Sequence, residues 1–161
     1  MNTENKIITT EEAAAWKKSL GSKKLVVTNG VYDLLHPGHV EYLTMAKEEG
    51  DLLLVCCNGD ESVRAIKGPL RPVIDEKNRA FMLASLECVD RVVIFKEPEA
   101  LNTLISIEPD IYVKGGDYTI DTINQNERKA LEALGTDIRF IPFKDGFSTT
   151  MMIDKILKAY T

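Results

Sequence analysis

Five short apolar runs, Leu25–Thr28, Leu52–Cys57, Val92–Phe95, Ile111–Val113 and Ile138–Ile141, constrain this chain more than any other feature. None alternates cleanly between apolar and polar residues, the pattern of strands buried on both faces of a parallel sheet. Helical patterns separate them. Val40, Leu43 and Ala46 keep one face in a segment ending at Gly50, a C′ glycine by position. Ala80, Leu83 and Ala84 do the same after Asp75. Ile153, Ile156, Leu157 and Tyr160, at i, i+3, i+4 and i+7, predict a final helix. Ahead of the first run, Thr9-Thr10-Glu11-Glu12 forms a Thr-x-x-Glu capping box before a helix carrying Ala13, Trp16 and Leu20, expected at the edge of the domain. Strand and helix thus alternate about five times, which predicts a three-layer α/β domain with right-handed crossovers. Residues 1–22 read as a helical extension and 23–161 as the single domain. Ligands of such sheets bind outside the carboxyl ends of the strands.

Composition removes several function classes. With 20 Lys+Arg against 25 Asp+Glu the net charge is −5, so no nucleic-acid partner is expected. The N-terminus is polar and lacks the apolar core of a signal peptide. No apolar run reaches the ~20 residues that span a bilayer, so no membrane is expected either. Cys56, Cys57 and Cys88 read as reduced, packed thiols of a cytoplasmic protein.

Four loops after the runs carry unusual residues. Thr28-Asn29-Gly30 leads through Asp33 to His36-Pro37-Gly38-His39, where Gly30 permits close backbone approach and a helix begins near His39. Both histidines of the chain stand beside that helix start, whose free N–H groups suit an anion. A capping residue plus a surface residue is the plain alternative. Zinc is a poorer one, since no third histidine exists and two cysteines lie inside a strand. The setting favours phosphate. Ser148 reads as the N-cap of the last helix, with Thr149 and Thr150 forming a second anion-receptive start. Lys114-Gly115-Gly116-Asp117 is either a turn or a backbone surface for a ligand, with Asp117 able to accept from a sugar hydroxyl. Lys67-Gly68-Pro69-Leu70-Arg71-Pro72, with Arg79 beyond it, reads as a cationic lid over a polyphosphate.

Together these segments resemble the cytidylyltransferase-like nucleotidyltransferase superfamily: HxGH at His36 and His39, the Ser148–Thr150 triplet and the alternating layout carry the likeness. TNGxxDLLHPGHVxYL (Thr28–Leu43), SVRxxKGPxRPV (Ser62–Val73) and PDxxVKGGDYT (Pro109–Thr119) are closest to its heptose adenylyltransferases. The resemblance implies a Rossmann-like fold with five parallel strands in the order 3-2-1-4-5, often assembled as a homodimer. It implies AMP transfer from ATP to a heptose 1-phosphate, giving ADP-heptose and pyrophosphate for glycans such as lipopolysaccharide core. Carried over by position, His36, His39, Lys47 and Arg79 would be catalytic. Thr28, Asn29, Gly30, Lys67, Lys114, Gly115, Gly116, Asp117, Ser148, Thr149 and Thr150 would bind ATP. Asp33, Asn58, Asp60 and Arg71 would bind the sugar phosphate, and Mg²⁺ would arrive on the ATP phosphates rather than in a protein metal site.

The chain departs from the family pattern in places. Val31-Tyr32 stands for Cys-Phe and Gly59 for Ser. Lys77-Asn78 replaces Glu-Asp, removing the acid that would orient Arg79. Lys144 is not the Arg that related cytidylyltransferases carry, which weighs against cytidine. Glycerol-3-phosphate cytidylyltransferase, pantetheine-phosphate adenylyltransferase and a non-catalytic nucleotide sensor are the competing functions.

Overall fold

The computed structural model describes residues 2–142 and 146–160; Lys144 lies outside them. After a 3-10 turn at Thr3–Lys6, the elements run β1 (Ile7–Ile8), α1 (Thr10–Ser19), β2 (Leu25–Gly30), α2 (Pro37–Glu48), β3 (Leu52–Asn58), α3 (Asp60–Lys67) and α4 (Glu76–Ala84). They continue with β4 (Arg91–Phe95), α5 (Leu101–Ile107), β5 (Ile111–Gly115), α6 (Gln125–Ala133), β6 (Asp137–Ile141) and α7 (Thr149–Tyr160).

All strand pairs are parallel and the sheet order is β1-β4-β3-β2-β5-β6. The five expected strands keep the order 3-2-1-4-5, but the sheet has six strands. The sixth is Ile7–Ile8, paired with Val92 and Val93 at the edge. Two residues are too short to show a period. Lys6 anchors this strand by donating from Nζ to the Val89 and Leu86 carbonyls at 2.8 and 3.3 Å. The following helix α1 opens with the complete capping box between Thr9 and Glu12 and buries Ala13.

Two separate cores explain why the strands are apolar on both faces. Val26, Leu53, Val55 and Val92 pack under Leu43 and Ala46 of α2 and Leu83 of α4. Leu25, Val27, Leu54 and Val93 pack against Leu104 and Ile107 of α5 and Leu131 of α6. Neighbours in one strand point to opposite faces, and each face is covered by helices. Gly50 shows how tight the fit is: a Cβ there would come within 2.7 Å of Val26 Cγ2.

Helix α7 forms where the period placed it, with Ser148 Oγ accepting from Met151 N at 3.0 Å. Its apolar stripe belongs to neither core: Ile156 and Leu157 are half exposed and Tyr160 is 87% exposed. No helix of the described residues is long and apolar enough to cross a membrane.

One feature of register creates the crevice. β2 pairs with β3 along its full length, Leu25 to Gly30, but with β5 only at Val26 and Val27. Beyond those two pairs β2 and β5 part, and the gap opens at their carboxyl ends, where the strand order reverses.

Candidate active site

The loop after β2 delivers both imidazoles to this gap. His36 is the N-cap of α2, its Nδ1 accepting from His39 N at 3.4 Å, and Pro37 occupies the first helical position, where no N–H is required. The helix therefore begins two residues before His39. The two rings stack with centroids 3.7 Å apart, and Tyr32 meets His39 edge-on at 5.2 Å. Burial, then the charge His36 would carry, hold His39 down to about 4. Burial also lowers His36. The pair is neutral at neutral pH. His39 Nδ1 is buried without a hydrogen-bond partner, whereas its Nε2 is not shut off in this way.

The start of α7 lies beside the start of α2. Phe147 stacks on His36 at 6.0 Å, and a Cβ on Gly38 would come within 3.2 Å of Phe147 Cβ. Thr149 and Thr150 thus open one helix next to the imidazoles that open the other. Pro37 has no N–H, and His39 N and Val40 N already bind His36, so Gly38 of α2 and Thr149 and Thr150 of α7 supply the N–H groups left for an anion. Across the gap, Lys114 Nζ donates to Asn29 Oδ1 at 2.9 Å and lies 5.4 Å from the Tyr118 ring. Burial lowers its pKa against the pull of Glu127. Gly115 ends β5, Gly116 turns with φ +93° while donating to the Ile141 carbonyl at 3.0 Å, and Asp117 is exposed at the mouth.

Other expected site residues have internal work. Lys47 is at the wrong end: α2 runs away from the crevice, and its Nζ binds Asp90 and the Asp51 carbonyl, both at 2.6 Å, beside the amino ends of β3 and β4. Arg79 is 1% exposed, so it is not free to meet a substrate. Its guanidinium donates to the carbonyls of Val31 (2.6 Å) and Ile74 (2.8 Å) and to Asp60 (2.8 Å). Asp60 supplies the acid that Asn78 lacks. Thr28 is buried and hydrogen-bonded to Tyr42 Oη at 2.7 Å, so its hydroxyl faces the core rather than the crevice.

The expected sugar-phosphate set is likewise a scaffold. The Asp33 carboxylate accepts from Arg71 Nε, Val73 N and Ile74 N, strapping the 68–74 loop to the chain three residues before His36. Asn58 donates to Ser62 Oγ at 2.9 Å and is 4% exposed. Lys67 alone of the cationic segment stands open. The space freed by Gly30 is filled by Tyr32, whose ring would lie 2.9 Å from a Cβ at Gly30.

Residues 27–155, four-fifths of the chain, match the cytidylyltransferase-like family. The chain belongs to the cytidylyltransferase-like family. Among its relatives are the bifunctional protein HldE of Geobacter sulfurreducens, 48% identical over 138 residues, and that of Helicobacter pylori, 44% identical over 138 residues. Each alignment covers 86% of this chain but only 28% of the relative, so the chain spans little more than a quarter of those proteins. A lipopolysaccharide core biosynthesis protein from Thermoplasma volcanium has a similar structure, with 28% identity and TM-score 0.63, covering 78% of this chain and all of that one. A pantoate-β-alanine ligase from Francisella tularensis shares the fold alone, at 16% identity and TM-score 0.58, covering 94% of this chain and 77% of that one.

In this cytidylyltransferase-like chain, sequence reasoning missed four residues: Tyr32 and Phe147 beside the imidazoles, and Tyr112 and Glu127 buried behind Asn29. Tyr112 hides inside an apolar strand run and Glu127 inside an ordinary polar helix. Nothing local distinguishes either from a core ring or a solvated charge.

Proposed function

We propose that this chain transfers AMP from ATP to a heptose 1-phosphate, releasing pyrophosphate and forming ADP-heptose for lipopolysaccharide core precursors. The observation that carries the reading is the stacked, neutral His36–His39 pair at two converging helix starts. The family match and the HldE relatives support the nucleotidyl-transfer class, and the Lys114–Asp117 and Lys67–Val73 segments favour the heptose substrate. Cytoplasmic location and a homodimer are part of the same proposal.

A sugar phosphate needs no protein base, because its second pKa of about 6 leaves it largely dianionic at neutral pH. Its oxygen attacks the α-phosphorus of ATP, a new P–O bond forms, and the bond to the β-phosphate oxygen breaks as pyrophosphate leaves. The protein's task is to hold two anions in line and to stabilise charge growing on the leaving oxygens. His36 and His39, with the N–H groups opening α2 and α7, fill that role for the triphosphate. Asn29, Lys114, Gly115 and Gly116 line the opposite wall, and Lys67 stands at the rim. Mg²⁺ would neutralise the polyphosphate; Asp33 and Asp60 already bind arginines, so phosphate oxygens are its natural ligands.

A panel of sugar 1-phosphates, glycerol 3-phosphate and phosphopantetheine, each offered with ATP or CTP and Mg²⁺, tests this. Mass detection should find ADP-heptose. A CDP product, adenylylation of phosphopantetheine alone, or tight ATP binding without turnover would each replace the proposal.

A further inference from the structure

Where β2 leaves β5, one carboxamide bridges the split. Asn29 Oδ1 accepts from Tyr112 Oη at 2.7 Å and from Lys114 Nζ at 2.9 Å, both donors coming from β5. Two donors on one side fix which end of the amide is oxygen. The Asn29 Nδ2 group is therefore left over, donating to no described residue and not shut away as a buried orphan.

Behind Asn29 the network is buried. Tyr112 is 0% exposed and Glu127 5% exposed. Glu127 Oε1 accepts from Ala100 N at 2.9 Å, which sets the carboxylate, and Oε2 lies 3.3 Å from Tyr112 Oη. A phenol has a single proton to give, and the shorter contact to Asn29 takes it. Tyr112 belongs to the apolar cluster of Leu54, Phe95, Leu104 and Leu131, as does Ala100, whose N–H binds the buried Glu127 carboxylate. Burying such groups costs free energy that a Phe at 112 would avoid. Their geometric consequence is the orientation of one side chain at the crevice.

We infer that Tyr112 is a positioning residue for nucleotidyl transfer, holding the Asn29 carboxamide so that Nδ2 is offered to the phosphates. It rests on the crevice being the nucleotidyl-transfer site. Asn29 is the group that touches substrate, and Tyr112 acts only through it.

A double-mutant cycle on the full chain decides the point, using Tyr112→Phe, Asn29→Ala and the pair, assayed with ATP, Mg²⁺ and D-glycero-D-manno-heptose 1-phosphate. Tyr112→Phe keeps the ring, and thermal melts establish that each protein is folded. Loss of one orienting bond predicts a kcat about tenfold lower with KM for ATP within about twofold; loss of the donor itself predicts about 100-fold. The double variant should match Asn29→Ala, Tyr112→Phe being silent once Asn29 is gone. Losses that multiply to about 1000-fold, or a wild-type kcat for Tyr112→Phe, would overturn the inference. If the unaltered chain adenylylates no sugar phosphate, the proposed function fails instead. Calorimetric titration of the same four proteins with Mg·ATP then decides: coupled changes in Kd uphold the positioning role, and independent ones reject it.

Discussion

Binding of ATP should draw a proton onto His39. Free, the ring titrates at about 4 because it is buried beside His36, so at pH 6.5 only about 0.3% of it is charged. A phosphate anion about 4 Å away, at the effective dielectric of a partly wet crevice, favours the imidazolium by about 4 kcal/mol. At 1.36 kcal/mol per pKa unit that is about three units, lifting the ring to about 7 and charging about three-quarters of it at pH 6.5. Deeper burial under the ligand works the other way, so the net uptake is about 0.5–0.7 proton. His36 adds little to this total, since a second positive charge on a ring stacked at 3.7 Å is repelled by the first. The uptake is measured by titrating Mg·ATP calorimetrically at pH 6.5 in buffers of low and high ionisation enthalpy. The slope of binding enthalpy against buffer enthalpy counts protons, and the same slope for His39→Asn removes those of ATP itself. Equal slopes for the two proteins, or net release by the unaltered chain, would refute the reasoning and take the polyphosphate away from the imidazoles.

His36→Ala and His39→Ala should each lower kcat by about 10²–10³ with folding retained, the usual cost of one transition-state donor; near-normal steady-state turnover in both would remove them from the chemistry. Lys47→Ala should leave kcat and KM unchanged while lowering Tm by about 2–4 °C, since a solvent-accessible, part-buried ion pair contributes about 1 kcal/mol or less. Asp33→Ala should release the 68–74 loop, speeding tryptic cleavage after Lys67 at its edge and lowering Tm by about 6–12 °C for a loss of about 3 kcal/mol; an unchanged melt with a raised KM for the sugar phosphate would make it a substrate ligand. Burial raises the Asp33 carboxyl, but the Ile74 and Val73 N–H groups and Arg71 outweigh it, and the net pKa is lowered. Its contribution is therefore full above the ordinary value of 3.8 and fades as pH falls through the folded one, so the Tm gap between this variant and the unaltered chain should narrow in acid.

Much of the architecture was legible because it is written locally. The doubly apolar runs, the Thr9–Glu12 box and the glycine after α2 each depend on residues a few positions apart, and all of them reappear as strands, cap and helix end. The two-residue strand at Ile7 was not legible, having no period to read. Helix α7 was legible as a helix, but Ile156, Leu157 and Tyr160 of its stripe are exposed, because periodicity reports a face and not what covers it. His36 and His39 could be placed together from spacing alone, three positions apart across a helix start.

The charged residues divided differently. From sequence, Lys47, Arg79, Asp33 and Asp60 look like free ligands for a phosphate or sugar, since each is an ionisable group near a loop or helix end. Folding pairs them with Asp90, the Val31 carbonyl, Arg71 and Arg79, partners 19 to 48 positions away. Which ionisable groups remain for a ligand is settled by strand order and register, because a buried charge must satisfy its hydrogen bonds wherever the chain brings a partner. The amino-acid order by itself determined the kind of sheet and the loop that carries the histidines. Only the tertiary structure decided that β2 and β5 pair at Val26 and Val27 alone, and so that Asn29 meets Tyr112 and Lys114 where the two strands part.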